Sequence, residues 1–152
     1  MNENNAIITN EVRADLATAD LMDGFTNPTG QFYCSIPNDG SRRSSIAIYN
    51  AVNSKGESLD DHKGEVLEIV NVAAHPVRLV DENTGEVVDA LRTVLITKDG
   101  KVFDAVSQGI ASSLQKIFGI VGMPPWNQEP LKIKVVEQKT RKGYKTNTIE
   151  LV

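Results

Sequence analysis

The chain has 152 residues, 16 basic and 20 acidic, for a formal net charge of -4, with 40% hydrophobic and 24% charged side chains. That balance suits one globular domain with modest tails and excludes collagen-like, wholly disordered and disulfide-stapled classes, since Cys34 is the only cysteine. No apolar run approaches the roughly 20 residues needed to cross a bilayer, and the opening MNENNAIITNEV lacks a signal-peptide pattern, so a cytoplasmic protein without a membrane partner is expected.

Residues 1–30 are polar and acidic, with Glu3, Glu11, Asp15, Asp20 and Asp23 against Arg13. A short amphipathic helix is expected over Glu11–Met22, and NPTG at 27–30 reads as a turn. This stretch is expected to be an acidic arm preceding a domain over 31–152. QFYCSI at 31–36 is a short strand candidate closed by Pro37 and Asn38-Asp39-Gly40. SSIAIYNAV at 44–52 reads as the first full strand, and the polar run 53–63 as a loop.

Glu65–Val80 is long and rich in Val and Ile, and Pro76 within it implies a bulge or an edge position. DENTGE at 81–86 is a tight turn into a partner strand, Val87–Thr97. After the Lys98-Asp99-Gly100-Lys101 turn, Val106, Ile110, Leu114, Ile117 and Phe118 recur at helical spacing. Gly109 inside that helix costs about 1 kcal/mol relative to alanine. Gly119 and Pro124-Pro125 end it. In the last segment Leu131, Ile133 and Val135 alternate with Lys132, Lys134 and Val136. Thr140-Arg141-Lys142-Gly143 turns the chain, and Tyr144–Val152 returns.

Taken in order these elements are three strands, a helix and two strands. That is the order of a mainly β, five-stranded oligonucleotide/oligosaccharide-binding (OB) barrel, whose helix lies between the third and fourth strands.

Catalysis finds no support. His62 and His75 have no Cys partner at metal-ligand spacing, and Asp60-Asp61-His62 sits in a polar loop without a second ligand pair. Phosphate-binding glycine loops and a GxSxG nucleophile turn are absent from the sequence. Neither a metal nor another cofactor is expected.

Binding is better supported, because the charge is uneven. Residues 127–152 carry three acidic and six basic residues, whereas the preceding residues carry 17 acidic and 10 basic. A local positive potential attracts an anionic ligand even when distant acids set the total. Single-stranded nucleic acid is held by cations that track phosphates and by aromatic faces on which bases stack. The candidates are Arg42, Arg43, Tyr49, Arg78, Arg92, Lys98, Lys132, Lys134, Lys139, Arg141, Lys142, Tyr144 and Lys145. Phe103 and Phe118 are assigned to the core and Trp126 to packing of the Pro-rich turn. With only four Phe, three Tyr and one Trp in the chain, phosphate contacts are expected to dominate.

The run TKDGKVFDAVSQGIASSLQKIF, followed by EPLKIKVVEQKTRKGYKTNTIELV, resembles the small single-stranded-DNA-binding proteins of tailed bacteriophages, especially those with protein-primed replication. The shared pattern is an Asp-Gly turn, an aromatic, a Ser/Ala-rich helix, a Lys-Val-Lys-like strand, a Lys-Gly turn and a final strand, spanning residues 60–152. The resemblance implies an OB-type protein that coats displaced single strands during phage DNA replication in the host cytoplasm, with phage replication proteins as further partners.

Residues 1–45 depart from the pattern, and the acidic arm is expected to mediate self-association or to compete with DNA. The chain ends Ile149-Glu150-Leu151-Val152, not in an acidic Phe-terminated tail, so recruitment through such a tail is not expected. The competing expectation is an OB-like protein-interaction or virion accessory module whose lysines only guard a sheet edge.

Overall fold

A computed structural model describes residues 33–152; the expected arm helix over Glu11–Met22, the turn at 27–30 and residues 31–32 of the first strand candidate lie outside the described residues. The fold is mainly β. In chain order it comprises β1 (Tyr33–Cys34), α1 (Arg42–Asn53), β2 (Glu57–Ser58), a 3₁₀ turn (Leu59–His62), β3 (Val66–Val80), β4 (Val87–Thr97), β5 (Val102–Ala105), α2 (Gln108–Ile120), β6 (Leu131–Lys139) and β7 (Lys145–Leu151). One sheet runs β2-β5-β4-β3-β6-β7, with β1 paired to β3. All pairs are antiparallel except β2 with β5. Among the described residues no helix is long and apolar enough to cross a membrane.

The expected five strands and one helix are thereby corrected to seven strands, two of them only two residues long, and two α-helices among the described residues. SSIAIYNAV is helical. Ser41 caps its N-terminus, the hydroxyl accepting from the Ser44 N–H at 3.2 Å. Ile48 and Ala51, three residues apart, are buried while Ile46 and Tyr49 are exposed, a helical and not an alternating pattern. VFDA at 102–105 is a strand, and the following helix begins at Gln108, leaving Val106 exposed outside it. The polar run after α1 holds β2 and the 3₁₀ turn, whose Leu59 is fully buried.

The core gathers Leu59, Leu67, Ile69, Val72, Leu95, Phe103, Ile133 and Val135 from the strands and turn, with Ile110, Leu114, Ile117 and Phe118 from α2. On β3 the core residues change from odd to even positions between Ile69 and Val72, because the register with β4 slips at Ile69/Asn71. This bulge lies earlier than the position that Pro76 suggested. An extra residue in one strand inverts which side chains face inward beyond it. Ala73 and Val94, directly paired and fully buried, therefore point to the opposite face of the sheet. There α1 packs against β3 and β4.

One bond extends the β3–β6 pairing, and another joins the 3₁₀ turn after β2 to β7, strands at opposite ends of the sheet. The Gly64 N–H donates to the Val135 carbonyl at 2.9 Å. The Asn147 side-chain amide donates to Asp60 at 2.9 Å, which holds that carboxyl below its usual range. α2 lies on β7, where Ser113 Oγ accepts from the Ile149 N–H at 3.2 Å.

Gly109 explains itself at this contact. A Cβ there would overlap the Asn147 carbonyl oxygen and sit 2.6 Å from Thr146 Oγ1. Because a backbone carbonyl cannot rotate away, Gly109→Ala should lower stability by about 1–3 kcal/mol, the usual range for overpacking, despite alanine's better helix propensity. Urea unfolding checks this; an unchanged or raised midpoint would show that α2 and β7 separate freely.

Candidate nucleic-acid interface

The sequence candidates separate into cations held by carboxylates and cations left open. Lys98 Nζ lies 2.9 Å from Glu68, raising the lysine and lowering the carboxyl through their hydrogen bond. Lys132 is paired in register with the same Glu68. Lys134 lies 3.9 Å from Glu150, and Arg78 lies 3.4 Å from Asp89 on the β3–β4 hairpin.

Arg92 has a different role from the one expected of it. Its side chain is only 14% exposed and its Nη2 lies 2.7 Å from Asp104. Nε also donates to Asp104 at 3.1 Å, Nη1 donates to the Val52 carbonyl at 2.9 Å and meets His75 Nε2 at 3.0 Å, and Nη2 donates to the Ser54 carbonyl. All five guanidinium N–H groups are thus engaged within the chain. Burial, and then the Arg92 charge, push the His75 imidazole below its ordinary value, so neutral His75 is suited to accept. Arg92 positions α1 on the sheet, and its exposure leaves little of it for a ligand.

The open cations collect at two places. The first is the tip of the β6–β7 hairpin. Lys139 stands directly opposite Lys145 in the strand register, a like-charge pair that ordinarily costs a few tenths to about 1 kcal/mol. The turn between them is closed by the Thr140 N–H to the Tyr144 carbonyl at 2.7 Å, and Gly143 adopts φ 84°, a left-handed backbone suited to glycine. This turn holds Arg141, Lys142 and Tyr144 in solvent, the tyrosine 70% exposed. Lys145 approaches Glu137 at 3.8 Å, but that carboxylate also binds Lys63 at 3.2 Å. Lys139, Arg141 and Lys142 have no ion pair among the described residues.

The second place is the outward face of α1. Arg42, Ile46 and Tyr49 follow at helical spacing and are exposed, Tyr49 by 64%, with exposed Arg43 beside them. α1 contains no acidic residue.

Phe103 and Phe118 are core residues, and Trp126 packs on Phe118 with ring centroids 6.1 Å apart. Sequence reasoning missed His62 as a packing group. It bonds Glu65 at 2.8 Å, which raises its basicity, and its ring meets Phe103 edge-on at 5.0 Å. Among the described residues no three His, Cys, Asp or Glu side chains converge as metal ligands.

A family model described as phage single-stranded DNA-binding protein matches residues 28–152. The chain is also similar to the single-stranded DNA-binding protein of Bacillus phage B103, 30% identical over 108 residues, which cover 70% of this chain and 85% of that protein. No solved structure matches.

Proposed function

We propose that this chain, which belongs to the family of phage single-stranded DNA-binding proteins, coats displaced single strands during phage DNA replication, largely without regard to sequence. The observation that carries this reading is the hairpin tip, where Lys139, Arg141 and Lys142 stand uncompensated beside an exposed Tyr144. Cations set along a strand neutralise phosphates, and an exposed aromatic offers a face on which any base can stack.

An OB-type barrel accounts for the geometry. The strand path β5-β4-β3-β6-β7 with α2 in the gap between β5 and β6 supports it, with β3 as the barrel's first strand and the β6–β7 turn as one of its two ligand loops. The outer face of the second and third barrel strands, β4 and β5, is the customary ligand surface. Here Arg92 and Asp104 on those strands fasten α1. The outward face of α1, with Arg42, Arg43 and Tyr49, then takes over as the DNA-contacting surface. Lys98, Lys132, Lys134, Arg78 and Lys145 contribute where DNA phosphates displace their carboxylate partners.

The protein acts without catalysis of its own, in the host cytoplasm, with phage replication proteins as partners and residues 1–30 as a self-association segment. Titration of the full chain with oligo-dT at about 50 and about 200 mM salt should show binding that weakens steeply as salt rises. Absence of salt-sensitive binding at micromolar protein would overturn the reading.

A further inference from the structure

Two surface features, neither of them the basic hairpin tip nor α1, complement each other. The first is the distal half of the β3–β4 hairpin. Pairing of β1 with β3 stops at Ala74, and pairing of β5 with β4 stops at Thr93. Beyond these points, among the described residues, the two strands have only each other as strand-pairing partners. Leu79 stands opposite Val88 and Val80 opposite Val87, and all four are exposed, Val80 by 66% and Val87 by 60%. Residues 79–91 contain Asp81, Glu82, Glu86 and Asp89 but no Lys or Arg. The Leu79–Val88 pair lies on one face of this ribbon and the Val80–Val87 pair on the other. A two-stranded ribbon is marginal alone in water, and exposed aliphatic pairs on both of its faces mark a docking surface.

The second feature is a groove of about 330 Å³ between α2 and β7. Its apolar lining includes Ile117, Ile120, Val121, Ile149 and Leu151, and Lys116 is its only charged lining residue. Ile120 is 85% exposed.

We propose that the acidic β3–β4 ribbon of one copy docks in the α2–β7 groove of a second copy. The ribbon tip is anionic and carries exposed aliphatic residues, whereas the groove is apolar with Lys116 as its charged group, so charge and apolar character together select this occupant. The two patches are different surfaces of the same chain, so the contact is heterologous. A copy that uses its ribbon still has an open groove, and the assembly extends without closing on itself. Successive copies can thus line up along a strand while the basic hairpin tips remain available. That functional role rests on the DNA-coating reading; the contact itself does not.

The test uses the full chain and four variants, Ile120→Asp, Glu86→Lys, Lys116→Glu and the double Glu86→Lys/Lys116→Glu. Each is measured by sedimentation velocity without DNA, and by titration with a short oligo-dT that holds one molecule and a long one that holds many. Wild type should self-associate as concentration rises and bind the long strand cooperatively. Ile120→Asp should weaken self-association at least about tenfold, as expected when one aliphatic side chain is lost from a contact. It should leave short-oligo affinity unchanged. Each charge reversal should weaken the contact and the double variant should restore it. A wild-type chain that stays monomeric and non-cooperative overturns the proposal, as does self-association indifferent to Ile120→Asp or a double variant no better than the singles. Failure of short-oligo binding overturns the DNA reading instead, and sedimentation then still decides the contact.

Discussion

Replacing Lys139, Arg141 and Lys142 together by alanine is expected to lower affinity for oligo-dT about 100-fold near 0.1 M salt. Each phosphate neutralised on a single strand contributes a slope of about -0.7 to log K against log salt. Three lost contacts flatten that slope by about 2. Carried from about 1 M, where the electrostatic contribution is small, down to about 0.1 M, a slope change of 2 is the 100-fold loss. All three side chains are exposed and without ion pairs among the described residues, so their removal should leave folding intact. It also relieves the repulsion between Lys139 and Lys145. The measurement is a titration at four or more salt concentrations, with far-UV circular dichroism as the folding control. A variant with the wild-type slope would remove the hairpin tip from the interface. Tyr144→Ala should differ in kind, losing about 1–3 kcal/mol of stacking with little change of slope.

Arg92→Ala should cause the largest loss of stability of any candidate residue, about 2–4 kcal/mol. The substitution leaves the Asp104 carboxylate, 22% exposed, without its cation, and leaves the Val52 and Ser54 carbonyls without their donor. Removing one partner of a buried pair costs about 3–5 kcal/mol, and residual exposure lowers that figure here. Arg92→Lys should not restore the loss, because one ammonium cannot reproduce a planar fork that reaches Asp104 and two carbonyls together. Guanidinium unfolding checks the stability. Limited proteolysis within residues 36–56 checks that α1 is the element released. If Arg92→Lys were as stable as wild type, the guanidinium geometry would be irrelevant and α1 would be held by Ile48 and Ala51 alone.

The parts of the fold that could be read from sequence were those whose burial is one-sided and repetitive. Ile133 and Val135 alternating with Lys132 and Lys134 left no alternative to a half-buried strand, and Ile110, Leu114, Ile117 and Phe118 gave the α2 face directly. The short elements gave no such repeat. VFDA is too brief to display a period, so it stood without an element between the neighbouring turn and helix. In IAIYNAV the isoleucines favoured a strand by propensity, and the decisive information was the Ser41 cap and a seat for Ile48 and Ala51 on a distant sheet face. The candidate site divided similarly. The exposed tip follows from local composition. The roles of Arg92, Lys98 and Lys134 depend on which carboxylate lies across the sheet, and Asp104, Glu68 and Glu150 are remote in sequence from these partners.

The slip at Ile69/Asn71 resembles a dislocation in a crystal. The lattice on either side is regular, and the fault is confined to one residue, yet it sets the phase of everything beyond it. Below the fault, β3 turns its odd-numbered side chains toward the core it shares with β6. Above it, the odd-numbered Ala73 and His75 face outward to α1 and Arg92. One strand therefore belongs to two interiors of opposite parity, and the surface helix is seated by the same residue that lets the sheet bend. The phase of the outer platform is inherited from the inner one, so closing the fault in this chain would turn Ala73 and His75 toward the core and leave α1 without its seat.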